Sequence, residues 1–152
     1  MLGNFTFHNP TKLYFGENSL ENLSKELGKY GEKVMLVYGG GSICKNGIYD
    51  AVLAELRKAG KQTVELSGVM PNPTIENVQT GVKAFQDSKA DYIIAIGGGS
   101  SMDTAKAIGI IANNPEFADV RSLEGTAPTK NRAVFTIAVP TTAGTAAEVT
   151  IN

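Results

Sequence analysis

Two stretches of the sequence carry the residues best suited to chemistry: Tyr38-Gly39-Gly40-Gly41-Ser42 (YGGGS) and Ile96 to Lys106 (IGGGSSMDTAK). Three consecutive glycines weaken any regular element, but they leave backbone amides bare. A helix N-terminus exposes unpaired N–H groups and a partial positive charge. A glycine turn ahead of it lets those groups reach a phosphate with no side chain in the way. Gly97, Gly98, Gly99 and Ser100 suit that role, with Gly98, Gly99 and Ser100 closest to the anion. Asp103 lies one turn into the following helix, where a ribose hydroxyl or a carboxamide is a fitter partner than phosphate. Gly39, Gly40, Gly41 and Ser42 repeat the pattern upstream. A tight strand-to-helix turn needs the same glycines, and one such loop alone is weak evidence. Two of them, together with the small-residue run Pro140 to Ala146 (PTTAGTA), favour a ligand. Neither G-x-G-x-x-G nor G-x-x-x-x-G-K-[ST] occurs.

Other reactive side chains are sparse. His8 is the sole histidine, and a catalytic zinc or iron site takes two or three imidazoles plus a carboxylate. This chain by itself is therefore not expected to build such a site, and His8 suits a surface or capping role. Cys44 is either a thiol activated near a helix start or, the favoured expectation, a small buried one. Lys106 either approaches a cofactor or is solvated. Glu148 has no carboxylate partner in the pattern, so no catalytic acid or base is assigned.

The elements that must hold these loops follow from periodicity. FTF (5–7) and TKLYF (11–15) flank the turn signal HNP and predict a short amino-terminal β-hairpin. Leu20, Leu23 and Leu27 predict a helix from about Asn18 to Lys29. The apolar runs 33–38, 91–96 and 134–139 predict strands of a parallel sheet buried on both faces, with a further strand at 63–66. Helices are predicted from about Gly47 to Ala59, from a Thr74 cap to Ser88, and from Ser101 to Ala112. Residues 116–132 read as a loop with at most one helical turn, and Glu148 to Asn152 as the start of another strand. Alternating strands and helices imply an α/β fold with helices on both faces of the sheet. In such folds ligands lie beyond the carboxyl ends of the strands, where both glycine runs, PNP (71–73) and PTTAGT (140–145) all fall.

The bulk numbers narrow the function classes. The 152 residues suffice for one domain with a real core. A net charge of −1 and the lack of a basic block argue against nucleic-acid binding. No apolar run approaches the roughly 20 residues that span a bilayer, and no signal peptide is read at the start. One cysteine forbids an intrachain disulfide, which points to the cytoplasm.

The motifs PNP, IGGGSSMDTAKAIG and VPTTAGTAAEVT, in this order and spacing, resemble the amino-terminal domain of the iron-containing (group III) alcohol dehydrogenases, from FHNPTKLYFG onward. NNPEFADVRSLEG and TIAVPTTAGTAAEVTIN resemble in wording the lactaldehyde (1,2-propanediol) reductase branch, and NFTFHNPTKLYFG and YGGGSICKNGIYD read more like the butanol dehydrogenase branch. The resemblance implies a Rossmann-like dinucleotide-binding domain over 1–152. It also implies a following helical domain, not among these residues, that carries the aspartate and three histidines for iron or zinc. It implies that Gly98, Gly99 and Ser100 touch the pyrophosphate and that Asp103 faces the nicotinamide side. Thr141, Thr142 and Thr145 would line the cleft, and Asn72 would sit by the adenosine. The family's activity is hydride transfer between NAD(P)H and a small alcohol or aldehyde. An acidic residue after the first strand would bond the ribose 2′-OH and repel a 2′-phosphate. Lactaldehyde reductases resemble that case, whereas this chain has Gly39, so NADP is expected over NAD. A nucleotide-binding module without turnover is the alternative. A cleft lacking its second wall implies exposed apolar surface and self-association.

Overall fold

The computed structural model describes residues 3–6, 8–123, 129–144 and 146–149. Four strands, β1 (Lys33–Tyr38), β2 (Gln62–Leu66), β3 (Tyr92–Gly97) and β4 (Thr136–Pro140), form one parallel sheet in the order β2-β1-β3-β4. Register runs Val34↔Tyr92 to Tyr38↔Ile96 between the two central strands. Those strands are the apolar runs KVMLVY and YIIAIG, and every residue in them but Lys33 is buried. Such continuous burial needs cover on both faces. Edge strand β2 (QTVEL) has partly buried Val64 and Leu66 alternating with exposed Gln62, Thr63 and Glu65, as one half-wet side requires.

The covering helices are α1 (Asn22–Leu27), α3 (Ile48–Lys58), α4 (Ile75–Ser88) and α5 (Gly99–Asn113). The chain leaves β1 toward β2 through α3 and returns past β1 to β3 through α4. Crossovers of one hand in opposite directions set α3 and α4 on opposite faces. Accordingly α1 packs on α3, and α4 packs on α5, which lies along β3. Val52 and Leu56 of α3, Val78 and Phe85 of α4, and Ile108 and Ile111 of α5 enter the common core. Each such side chain contributes roughly 1.5–3 kcal/mol by leaving water. Thr74 caps α4 as the sequence implied, accepting from the Asn77 N–H at 3.3 Å. Gly60, at φ 68°, stops the α3 segment.

Several boundaries differ from the sequence expectation. The amino-terminal hairpin does not form: residues 3–6 and 8–15 contain no strand, and Phe7 lies outside the described residues. A lone two-stranded hairpin is marginal without a surface to pack on. Its polar groups go elsewhere instead. The Thr11 N–H bonds Asn9 Oδ1 at 2.9 Å, Asn9 Nδ2 donates to the Val149 carbonyl at 3.0 Å, and Lys12 and Tyr14 both donate to Glu26 of α1. A four-residue helix, α2 (Ser42–Lys45), occupies what was read as loop, and it breaks from α3 at Gly47, φ 79°. Helix α5 starts two residues early, at Gly99, because Gly98 is extended and serves as its N-cap. Strand β4 starts two residues late, since the Val134 N–H bonds the Gly109 carbonyl of α5 at 2.9 Å. The strand expected from Glu148 is a 3-10 turn over Ala147–Val149, and residues 150–152 are not described. Two further 3-10 turns, Pro115–Phe117 and Val120–Leu123, lie in the loop after α5.

Buried Asn114 closes that loop at its base. Its Nδ2 donates to the carbonyls of Ile110 (2.9 Å) and Asn131 (3.0 Å), and its Oδ1 accepts from the Asn131 N–H at 2.9 Å. Among the described residues, no helix is long and apolar enough to cross a membrane.

Candidate functional site

The strand order creates one topological switch point. Strand β1 sends its chain to β2 on one side, while its neighbour β3 sends its chain to β4 on the other. The crevice outside the carboxyl ends of two such strands is where doubly wound sheets take ligands. Here its two banks are the YGGGS and IGGGSS bends. Backbone bonds draw the other loops to the same edge. The Gly68 and Val69 N–H groups bond the carbonyls of Gly39 and Tyr38, each at 3.2 Å, and the Thr141 N–H bonds the Gly97 carbonyl at 2.9 Å.

The two bends differ in how closely they are packed. In the second, Gly97 is buried at φ 135°, and a Cβ there would lie 3.0 Å from Ser101 Oγ. A Cβ on Gly98 would lie 3.3 Å from Thr142 Oγ1. No side chain caps α5, and the first intrahelical donor of its N-terminal turn is Met102, bonded to Gly98 at 3.3 Å. The Gly99, Ser100 and Ser101 amides stand ahead of it, where helix N-termini attract anions. Thr104 Oγ1 donates to the Ser100 carbonyl at 2.8 Å and fixes that first turn. In the first bend, Gly40 and Gly41 are exposed, and a Cβ on either would meet nothing within 4 Å. Ser42, also exposed, opens α2.

Two features escaped the sequence reading. Ser101, taken only as a helix start, is 5% exposed. Its hydroxyl lies 4.0 Å from the Cβ position of Gly39 as well as 3.0 Å from that of Gly97, so it floors the crevice between the bends. The second feature is a carboxylate clamp. Tyr38, the residue before Gly39, donates to Glu65 Oε2 at 2.7 Å, and Tyr49 of α3 donates to Glu65 Oε1. The two rings meet at 5.3 Å between centroids. One carboxylate on β2 thus holds the chain just before the YGGGS bend and just after α2. Burial and the Glu65 bond raise the Tyr38 phenol well above its usual value; the Glu65 bond, then burial, raises that of Tyr49. Both phenols therefore stay protonated and able to donate. Only a tyrosine at each strand or helix end hinted at this in the sequence.

The remaining candidates are spread along the same edge. Asp103 is exposed one turn into α5. Lys106 is half-buried; burial lowers its ammonium pKa against the opposing fields of Asp103 and Glu148. Thr141 is half-buried and Thr142 exposed, while Thr145 lies outside the described residues. Asn72 is exposed in the loop after β2, at φ 57°. His8 is exposed. Cys44 is exposed too, contrary to the expected buried thiol, because the single turn of α2 turns only Ile43 inward. Among the described residues no three His, Cys, Asp or Glu side chains gather as metal ligands. Among the described residues the donors do not fit a metal centre, and no metal step is assigned to them.

A parallel sheet with two glycine bends facing across its switch point defines a doubly wound α/β domain of the ligand-binding kind. Residues 10–152 match the family described as iron-containing alcohol dehydrogenase, and the chain belongs to that family. It is 50% identical over 139 residues to the lactaldehyde reductase of Escherichia coli (strain K12), covering 91% of this chain and 36% of that protein. It is 42% identical over 143 residues to the NADPH-dependent butanol dehydrogenase of Clostridium saccharobutylicum, covering 93% and 36%. Its fold superimposes on the crystal structure of NADH-dependent butanol dehydrogenase A from Thermotoga maritima with a TM-score of 0.83 at 37% identity, covering 91% and 34%. The chain thus spans about a third of the length of these relatives. Relatives named for NADH and for NADPH both occur among them, so the family's cofactor is NAD(P) and its chemistry that of alcohol and aldehyde oxidoreductases.

Proposed function

We propose that residues 1–152 form the dinucleotide-binding domain of an enzyme that moves a hydride between NAD(P)H and a small alcohol or aldehyde. The observation that carries this is the pairing of two glycine bends across the β1/β3 switch point, with the α5 amides on one bank and the open Gly40 and Gly41 on the other. In this reading the Gly97 to Ser100 bend binds the diphosphate. Asp103 bonds a ribose hydroxyl or the carboxamide, Thr141, Thr142 and Thr145 line the cleft, and Asn72 lies by the adenosine. The bound nicotinamide carries the hydride, and this chain's residues orient it. The metal that polarises the carbonyl oxygen in intact enzymes of this kind, iron or zinc, would be held by residues beyond these 152.

NADP(H) is preferred over NAD(H). Gly39, Gly40, Gly41 and Ser42 offer amides and a hydroxyl, and the residue that follows β1 is Gly39 rather than an acidic one that would repel a 2′-phosphate. Titration with both reduced cofactors tests this: NADPH binds more tightly if it is right, and tighter NADH binding overturns it. A second reading, binding without turnover by this chain, is supported by its single histidine. With iron or zinc added, oxidation of propane-1,2-diol or butanol by the chain would refute it. Exposed Phe5, Leu13, Phe15 and Met70 support self-association, tested by sedimentation across protein concentration. The single cysteine supports a cytoplasmic setting.

A further inference from the structure

We propose that the Val69 backbone carbonyl is a specificity-determining group of the YGGGS bend, because it crowds the side-chain space of position 39. The inference rests on the dinucleotide reading of that bend. A Cβ built on Gly39 would stand 3.2 Å from the Val69 carbonyl oxygen and 4.0 Å from Ser101 Oγ. By contrast, Gly40 and Gly41 have open space. Gly39 has no positive φ, so the constraint is steric rather than conformational. The backbone leading up to this carbonyl is tied down. The Val69 N–H bonds the Tyr38 carbonyl, the Gly68 N–H bonds the Gly39 carbonyl, and the Val69 side chain is 6% exposed in the core. Gly68 itself turns at φ 76°, a conformation that leaves little choice in the path of the 67–70 loop.

The consequence concerns cofactor choice. The acidic side chain that selects NAD at the end of a strand needs a Cβ that this loop crowds. Selectivity is therefore written in two loops, and installing a carboxylate at position 39 disturbs the bend unless the 67–70 loop gives way.

The test uses the 152-residue chain and titrates NADPH and NADH into the wild type, Gly39→Ala, Gly39→Asp, Val69→Ala and Gly39→Asp/Val69→Ala, with a thermal melt of each. Gly39→Ala adds no charge, yet it should weaken both cofactors alike, by about tenfold, and lower the melting temperature by about 3 °C, as modest overpacking does. Gly39→Asp alone should lose NADPH without gaining NADH. Adding Val69→Ala, which loosens the anchor of the carbonyl, should restore NADH binding and make the two substitutions non-additive in the melts. Wild-type binding and melting in Gly39→Ala, or a Gly39→Asp that tightens NADH unaided, would overturn the inference. Tighter NADH binding by the wild type overturns only the NADP(H) preference. If neither dinucleotide binds, the melts alone decide: a destabilised Gly39→Ala coupled to Val69→Ala upholds the steric claim, and additive or neutral melts overturn it.

Discussion

Replacing Gly97 by alanine separates a glycine the fold requires from glycines the ligand requires. Gly97 ends β3 at φ 135°, and its missing Cβ faces Ser101 Oγ at 3.0 Å and Ser101 Cβ at 3.5 Å. An L-residue held at such a φ costs about 1–3 kcal/mol. Displacing the buried Ser101 hydroxyl adds overpacking of at least about 1 kcal/mol. The sum is about 3 kcal/mol. At roughly 2–4 °C per kcal/mol for a domain of this size, the melting temperature should fall by about 6–12 °C, read by circular dichroism. Adding Ser101→Ala should recover only the contact, about 1 kcal/mol, because the backbone strain persists. A Gly97→Ala chain melting within about 1 °C of wild type would refute the described geometry of the bend.

Gly40→Ala, where the added methyl meets open space, should leave the melting temperature within the roughly 0.5 kcal/mol scatter of surface substitutions while weakening NADPH in titration. Asn114→Leu removes three side-chain hydrogen bonds from a fully buried position and should cost about 2 kcal/mol in urea unfolding. Acid should loosen the amino-terminal segment. Hydrogen bonds from Lys12, then from Lys29 and Tyr14, lower the Glu26 carboxyl to about 2. A depressed folded-state pKa contributes stability above the unfolded carboxyl value that is lost as pH falls through about 2. Melting measured between pH 5 and 2 should therefore show a decline that Glu26→Gln flattens.

Most of the sheet was legible because burial on both faces leaves its mark in composition: KVMLVY and YIIAIG admit little but strand. Helix α4 announced itself through Thr74 and its apolar spacing. The amino-terminal segment misled because FTF and TKLYF alternate like strands, yet their pairing depended on a packing surface the local pattern does not record. Helix α2 and the first turn of α5 were hidden by glycine, whose backbone freedom blurs where a helix begins. The switch-point crevice was legible as a cluster of odd loops on one edge. Its floor and its clamp were not. Ser101 acts across two bends far apart in sequence, and Glu65 reaches 27 residues back to Tyr38 and 16 back to Tyr49. Contacts of that range leave no period to read.

The grip of the two bends on a dinucleotide can be observed residue by residue. Titrating NADPH into the isotopically labelled chain and following backbone amide resonances should move Gly40, Gly41, Gly99 and Ser100 together, with one saturation point. Amides on α1, and on α4 away from its first turn, should stay in place. Saturable binding that shifts those distant amides and leaves both glycine bends unmoved would contradict the site described for this chain.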